Sequence, residues 1–328
     1  MNCLVTGASG FVGANLVEAI GQKGWRARAM HRNSSSLKAL EGLRYESAIG
    51  DVNAPETLVE AMHDIDFVFH VAAVAEYWRV GKDKLYHVNV EGTRNVLQAA
   101  LDGRVKRVVF TSSAAALGQP AFGSALDESA QFNLRPEQFY YGHSKHKAEQ
   151  VVREFADKGL NVVILNPAII LGPRDVHQIS GSLVTLAAKR GLPFYPSGGI
   201  CVIDVADVCA AHLAAAEVGV PSERYILGAE NLSYAELFTM ITQVVGKPVP
   251  RLRIDGPLLR AGAIVVNGLR DLFKLPLPVN GDQLRFSAET FWFYTDKMRN
   301  DLGIKPRSAY HMITRTYDWY RANGCCEG

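Results

Sequence analysis

The chain has 328 residues, 48% of them hydrophobic, and 35 Lys and Arg against 33 Asp and Glu for a formal net charge of +2. So near-neutral a balance offers no electrostatic footprint for nucleic acid or an anionic membrane surface, and no apolar run reaches the length of an integral membrane span. The length suits two domains, or one large α/β domain with an extension. Cys3, Cys201, Cys209, Cys325 and Cys326 show no metal-ligand spacing, so no metal is expected. Cys3 lies in the first expected strand, and Cys201 and Cys209 in apolar surroundings. All three read as small buried thiols of a reducing compartment, whereas nothing explains Cys325-Cys326. A first strand starting by Leu4 leaves no room for a leader, which points to a cytoplasmic protein.

Leu4 and Val5 run into Thr6, and Gly7, Gly10 and Gly13 follow at even spacing. Val12, Leu16, Val17 and Ile20 then recur at helical spacing, which predicts strand, tight turn and helix. Such a turn aims free N–H groups and the helix dipole at a phosphate. In this reading Gly7 permits the turn, Gly10 lets the backbone approach a pyrophosphate, and Gly13 allows close packing of helix and strand.

A second strand is expected over Arg26–Met30. An acidic residue beyond it would bind the ribose 2′-OH of NAD, but Met30, His31 and Arg32 fill that zone and the first acid afterwards is Glu41. Arg28 and Arg32 can face one side of the strand, which suits a 2′-phosphate and favours NADP(H) over NAD(H). Tyr45–Ile49 reads as a third strand. Asp51 is then placed to meet an adenine amino group, to cap a helix near Pro55, or both. Ile65–Val71 is apolar enough for a strand covered on both faces, with His70 expected as a packed residue, and Ala72 and Ala73 leave room for a cofactor. A helix opens near Asn89. Val105–Phe110 is a fifth strand ending in Thr111, Ser112 and Ser113, and residues 118–139 form a loop long enough to be a functional lid. Tyr140–Phe155 is helical by pattern and Leu160–Leu165 a sixth strand, closed by Asn166 and Pro167. Strands alternating with helices predict an α/β fold with a doubly wound parallel sheet.

Beyond Pro173 the rhythm changes. Val202–Ala216 is expected to return to the main sheet and Arg224–Leu227 to be its last strand. Ser233 and Glu236 form a capping box before an amphipathic helix. The Leu258–Leu272 face reads as helix-helix core rather than a lipid-facing patch. Tyr310–Ala322 is an aromatic-rich helix. The division expected is residues 1–173 for dinucleotide binding, with returning segments at about 201–228, and residues 174–200 and 229–328 for a smaller substrate-binding unit.

On the helix after the fifth strand, Tyr141 and Lys145 lie four apart on one face. An ammonium beside a phenol lowers its pKa, which makes Tyr141 a candidate general acid/base for a carbonyl or secondary alcohol. Lys145 could also bind the nicotinamide ribose. Ser112 and Ser113, at a carboxyl strand end, could hold the substrate oxygen; Ser113 is preferred.

Thr6-Gly-x-x-Gly-x-x-Gly13, the Asp51 turn, His70-x-Ala-Ala73, Asn89, Ser112-Ser113, Tyr141-x-x-x-Lys145 and Pro167-x-x-x-x-Gly-Pro173 together resemble the extended short-chain dehydrogenase/reductases, the NAD-dependent epimerase/dehydratase superfamily. The likeness covers nearly the whole chain. It implies a Rossmann fold with a smaller C-terminal α/β substrate domain. The branch most similar is that of dihydroflavonol-reductase-like proteins, including those labelled hopanoid-associated sugar epimerases. The resemblance implies that Ser113 polarises the substrate, Tyr141 moves the proton and Lys145 tunes it, with Asn89 supporting a relay or the backbone geometry. It implies a dinucleotide site of Thr6, Gly7, Gly10, Phe11, Val12, Gly13, Arg28, Arg32, Asp51, Val52, Val71, Ala72, Ala73, Asn89, Ser112, Lys145, Pro167, Ala168 and Ile170.

Departures from the pattern bear on the reaction. Sugar dehydratases of the superfamily carry an acidic pair after the serine, whereas Ala114, Ala115 and Ala116 stand here. The reading that follows is hydride transfer between NAD(P) and a carbonyl or secondary alcohol of a small molecule. The alternative is a nucleotide-sugar epimerase with tightly bound NAD, in which Arg174, Lys189 and Arg190 could meet a diphosphate. A non-enzymatic dinucleotide sensor would not need the Tyr/Lys pair. Glu76, Tyr77, Trp78 and Phe122 are candidate pocket linings. The Asn89–Leu101 and Tyr141–Phe155 helices could form a homodimer bundle.

Overall fold

The computed structural model describes residues 1–75, 80–121, 123–273 and 281–327. Its strands, in chain order, are β1 (Asn2–Thr6), β2 (Arg26–His31), β3 (Glu46–Ile49), β4 (Phe67–His70), β5 (Arg107–Thr111), β6 (Ala125–Leu126), β7 (Val162–Pro167), β8 (Ile169–Leu171), β9 (Phe194–Pro196), β10 (Gly199–Asp204), β11 (Arg224–Leu227), β12 (Glu230–Ser233), β13 (Leu252–Ile254) and β14 (Thr290–Phe293). The helices are α1 (Phe11–Gln22), α2 (Pro55–Ala61), α3 (Lys82–Tyr86), α4 (Gly92–Asp102), α5 (Tyr140–Asp157), α6 (Ser182–Arg190), α7 (Val205–Val218), α8 (Tyr234–Val245), α9 (Gly256–Phe273), α10 (Gly281–Ser287), α11 (Asp296–Leu302) and α12 (Ala309–Ala322).

Seven strands form the larger sheet in the order β3-β2-β1-β4-β5-β7-β11, with every pair parallel. Parallel strands need crossovers, and the crossover helices cover both faces. On one face Leu16, Val17 and Ile20 of α1 pack with Val208, Ala211 and Ala215 of α7. On the other, Val96 and Leu97 of α4 pack with Val151, Val152 and Phe155 of α5. The chain runs outward from β1 to β3 and then restarts on the other side of β1 with β4. Ligands of open α/β sheets bind outside the carboxyl ends of strands at such a switch point, and the glycine turn stands there.

The expected return of residues 201–228 to this sheet divides at Asp204. β10 belongs instead to a second sheet, pairing in parallel with β8 and β14 and antiparallel with β12. Only α7 and β11 rejoin the main sheet. Asp204 turns the corner: its carboxylate accepts from Ala206 N at 2.7 Å and from Arg315 Nη1 at 2.8 Å. An apolar six-residue run is equally at home in either sheet, so sequence pattern could not separate them. The second sheet packs Val202 and Leu171 against α6, α8 and α12 through Val184, Ile241, Met312 and Ile313. Ser233 and Glu236 close the expected capping box at the start of α8.

On α9, Leu259 and Ala263 are buried but Leu258, Ile264 and Val265 face solvent, so the expected apolar face is only partly core. Its continuation beyond residue 266 lies outside the described side chains. Among the described residues no helix is long and apolar enough to cross a membrane. Cys3, Cys201 and Cys209 are buried thiols, and Cys325 and Cys326 are free and partly exposed.

Candidate active site

The glycine turn is built from backbone alone. Gly7 adopts φ +68°, where a side chain is strained. A Cβ on Gly7 would lie 2.7 Å from Ala72 Cα, and one on Gly13 would lie 2.3 Å from Gly7 O. α1 therefore begins as close to β1 as two peptide chains can come. Gly10 is its N-cap and no side chain caps it. The first-turn N–H groups at Phe11, Val12 and Gly13 stand at the sheet's switch point, a cradle that fits a pyrophosphate.

A buried chain of hydrogen bonds fixes the floor beside it. Thr6 Oγ1 accepts from Val71 N and Ala72 N, both at 3.2 Å. Its own proton then goes to His70 Nδ1 at 2.8 Å. His70 Nε2 in turn donates to Thr93 Oγ1 at 3.0 Å, and Thr93 donates to Asn89 O at 2.7 Å. His70 is a neutral spacer: burial pushes its pKa down to about 3. Asn89 lies in a π-helical turn, His87–Glu91, that leads into α4. Its side chain accepts from Val74 N at 2.8 Å and donates to Val74 O at 3.2 Å and Ser144 Oγ at 3.0 Å. Asn89 thus shapes the backbone after β4. Such π-turns recur at functional sites.

The strand-2 arginines do not act together. Arg28 turns to the opposite end of the sheet, where Nη1 donates to Ala61 O at 3.0 Å and His63 O at 2.7 Å, and Nε to Glu46 at 2.8 Å. It ties α2 to β2 and β3 and is removed from the dinucleotide site. The reason is register: Arg28 pairs with Leu4 in mid-sheet, two residues short of Thr6. Arg32 follows the end of β2 and is exposed. Asp51 accepts from Asn53 N at 2.9 Å and closes a turn, while the N-cap of α2 is Ala54. Val52 is buried beneath Gly92. Pro167 ends β7 and Ala168 N bonds to Leu227 O at 2.9 Å, so both stand at the carboxyl edge. Ile170 is carried away into β8, beside Ile203.

Ser112 and Ser113 follow the end of β5, with Ser113 in extended backbone as the N-cap of the Ala114–Leu117 turn, and their hydroxyls find different partners. Ser112 is buried and donates to Glu149 Oε1 at 2.5 Å, so its hydroxyl is turned from any cofactor. Ser113 is partly exposed, accepts from Ala115 N at 3.2 Å, and lies close enough to the Tyr141 hydroxyl to lower its pKa. Burial pushes the Tyr141 hydroxyl above its ordinary pKa and Ser113 draws it back. The expected lowering by Lys145 is not what the side chain does. Lys145 Nζ donates to Thr111 O at 2.7 Å, over the ring of Phe110. Burial pushes that ammonium down to about 8, against the pull of Glu149.

Beside Tyr141 stands an aromatic wall that sequence reasoning missed. Phe139 lies 6.1 Å from Tyr141 by ring centroids, Phe286 lies 4.6 Å from Phe139, and Phe291 lies 5.6 Å from Phe286. The signal was the aromatic density of residues 286–294, which carries no period. The expected lid is tied down: Arg224 donates to Glu128 O at 2.6 Å and Ala130 O at 2.7 Å, and β6 pairs with β14. Arg174 is likewise committed, to Glu18, Ala39 O and Glu41 O. It offers no charge to a diphosphate. The pocket residues Glu76, Tyr77, Trp78 and Phe122 lie outside the described residues.

With this geometry established, residues 3–228 match the profile of the NAD dependent epimerase/dehydratase family. The chain belongs to that family. It is an NAD(P)-dependent enzyme of the extended short-chain dehydrogenase/reductase type. It is 33% identical over 327 residues to a Synechocystis sp. protein assigned as a dihydroflavonol 4-reductase, covering 98% of this chain and 94% of that one. It is 31% identical over 328 residues to sterol demethylase protein B of Methylococcus capsulatus, covering 99% of both. A nucleoside-diphosphate-sugar epimerase from Pseudomonas aeruginosa superposes with a TM-score of 0.83 at 26% identity, covering 99% of both chains. The family therefore accounts for the dinucleotide cradle and for the parallel sheet that carries it.

Proposed function

We propose that the protein is an NADP(H)-dependent reductase or dehydrogenase that works on a carbonyl or secondary alcohol of an apolar small molecule. The observation that carries this reading is the approach of Ser113 and Tyr141 at the carboxyl edge of the sheet, set beside the aromatic wall. Ser113 holds the substrate oxygen. Tyr141 gives that oxygen its proton in reduction and takes it in oxidation. Lys145, whose ammonium is bound to the Thr111 carbonyl, would meet a ribose hydroxyl and act on the phenol when the coenzyme is bound. The backbone of Gly10–Gly13 would hold the pyrophosphate, with Val71–Ala73 and Pro167–Ala168 flanking the rest. When bound, the dinucleotide supplies or accepts the hydride. Arg32, with Asn33 and Ser34 beside it and no acid before Glu41, supports the phosphorylated coenzyme.

The positions after Ser113 supply no acidic pair for dehydration, since Ala114–Leu117 forms a short 3₁₀ turn without an acidic side chain. The aromatic wall suits an apolar ring system, in keeping with relatives named sterol demethylase protein B and 3-beta-hydroxysteroid dehydrogenase. The test is coenzyme consumption. Purified protein given NADPH and a panel of ring ketones is expected to consume NADPH as alcohol forms. Protein that retains NAD through purification and consumes no added coenzyme would overturn the reading in favour of an epimerase.

A further inference from the structure

Behind Ser113 lies a buried acid with no part in the chemistry above. Glu149 is fully buried on α5, one helical turn beyond Lys145. A carboxylate in such a place is costly unless every lone pair is used. Here one oxygen, Oε1, accepts from Ser112 Oγ at 2.5 Å and from Asn166 Nδ2 at 2.6 Å. The other, Oε2, faces Arg224 Nη1 at 3.2 Å and Arg153 Nη2 at 3.5 Å. The same Asn166 amide nitrogen also donates to Ser113 O at 2.9 Å. Three strands and one helix therefore meet at a single carboxylate. It is linked to the peptide of the reactive serine through one intermediary.

We infer that Glu149 is a positioning residue for this site, anchoring the Ser113 peptide through Asn166 and setting the electrostatic field at Lys145. The inference rests on the reading of Ser113, Tyr141 and Lys145 as the reacting side chains. The charged and titratable groups that face the acid are Lys145, His146 and Arg153 on its own helix and Arg224 on β11. Those that face Lys145 are Glu149 from α5 and His70 from β4, which burial keeps neutral. Among the described residues Glu149 is thus the anion common to both sets, while Glu128 acts on Arg224 alone. Arg224 sits at Oε2, on the far side from the serines, and is itself bound to two carbonyls. Without the carboxylate, Arg224 keeps Glu128 but Lys145 loses the anion that raises its pKa. Lys145 then sheds its proton at lower pH.

The experiment compares pH profiles of kcat/KM for the wild type, Glu149→Gln and Asn166→Ala, with NADPH binding by fluorescence as a control for the fold. In Glu149→Gln the alkaline limb is expected to move down by about one pH unit, as removal of an opposite charge one helical turn away requires. In Asn166→Ala the charge remains and the limb should stay, while kcat falls by roughly tenfold as Ser113 loses its anchor. A folded Glu149→Gln with an unmoved limb overturns the inference. Should that variant fail to fold, wild-type kcat in Asn166→Ala does so instead. Turnover surviving in Tyr141→Phe would sink the underlying reading and is scored separately.

Discussion

The two edges of the site are made of different material. The proposed dinucleotide edge is backbone: Gly7 and Gly13 are where they are because a Cβ would strike Ala72 or Gly7 O. The proposed substrate edge is side chains: Phe139, Phe286 and Phe291 come from a loop, a helix end and a strand of the second sheet. A backbone site tolerates almost no substitution and takes one ligand shape. A side-chain wall can be rebuilt without disturbing the sheet beneath it. One scaffold can in this way keep a coenzyme while changing what it reduces.

The sharpest way to break this contrast is to put a side chain into the backbone edge. Gly13→Val forces a branched group against a peptide, where overpacking costs about 1–3 kcal/mol even in compliant cores. NADPH binding, followed by fluorescence titration, is expected to vanish, while Phe286→Leu on the other edge leaves it intact and alters only which ketones are reduced. Next in size is Ser113→Ala. Loss of a hydroxyl that holds the substrate oxygen is expected to lower kcat by roughly 10²–10³, measured by NADPH consumption at saturating ketone. Ser112→Ala should leave kcat far less affected and cost about 1 kcal/mol of unfolding free energy, because its hydroxyl serves Glu149.

A smaller effect separates the two arginines. Arg32→Ala is expected to weaken NADPH by roughly tenfold, the worth of one charge-assisted hydrogen bond, and to leave NADH unchanged. Arg28→Ala should shift neither affinity and should lower stability instead. Equal loss of both coenzymes in Arg32→Ala would remove the case for a 2′-phosphate pocket. The gentlest test is pH. Burial holds His70 down to about 3 and His212 down to about 4, from an ordinary 6.5. Below about pH 6.5 the unfolded chain takes up protons that the folded chain refuses, so this contribution to stability is full above that pH and is lost as pH falls toward 4. Urea midpoints measured from pH 7 to 4.5 should decline, and less steeply in a His212→Asn variant.

Legibility in the sequence followed the same division. The glycine spacing, the parallel strands of the main sheet and the Tyr141–Lys145 interval are local patterns, and the structure places them on one sheet edge. Arg28 was misread because strand alternation tells which face a residue takes, not how far along the sheet it lies. The reach of Lys145 to Thr111 O depends on the length of the side chain, which helical spacing does not show. Glu149 and Asn166 gave no signal, since their partners come from β5, β7 and β11, far apart in the chain. β10 looked like a main-sheet strand because both sheets ask for the same apolar run.

The central claim is that Tyr141 moves the proton to an oxygen held by Ser113. Its most direct test is single-turnover reduction of a ketone by Tyr141→Phe already loaded with NADPH. The phenyl ring keeps its place against Phe139 and only the hydroxyl is gone. The account predicts unchanged NADPH affinity and a chemical step slowed by roughly 10²–10⁴. A step as fast as in the wild type would contradict it.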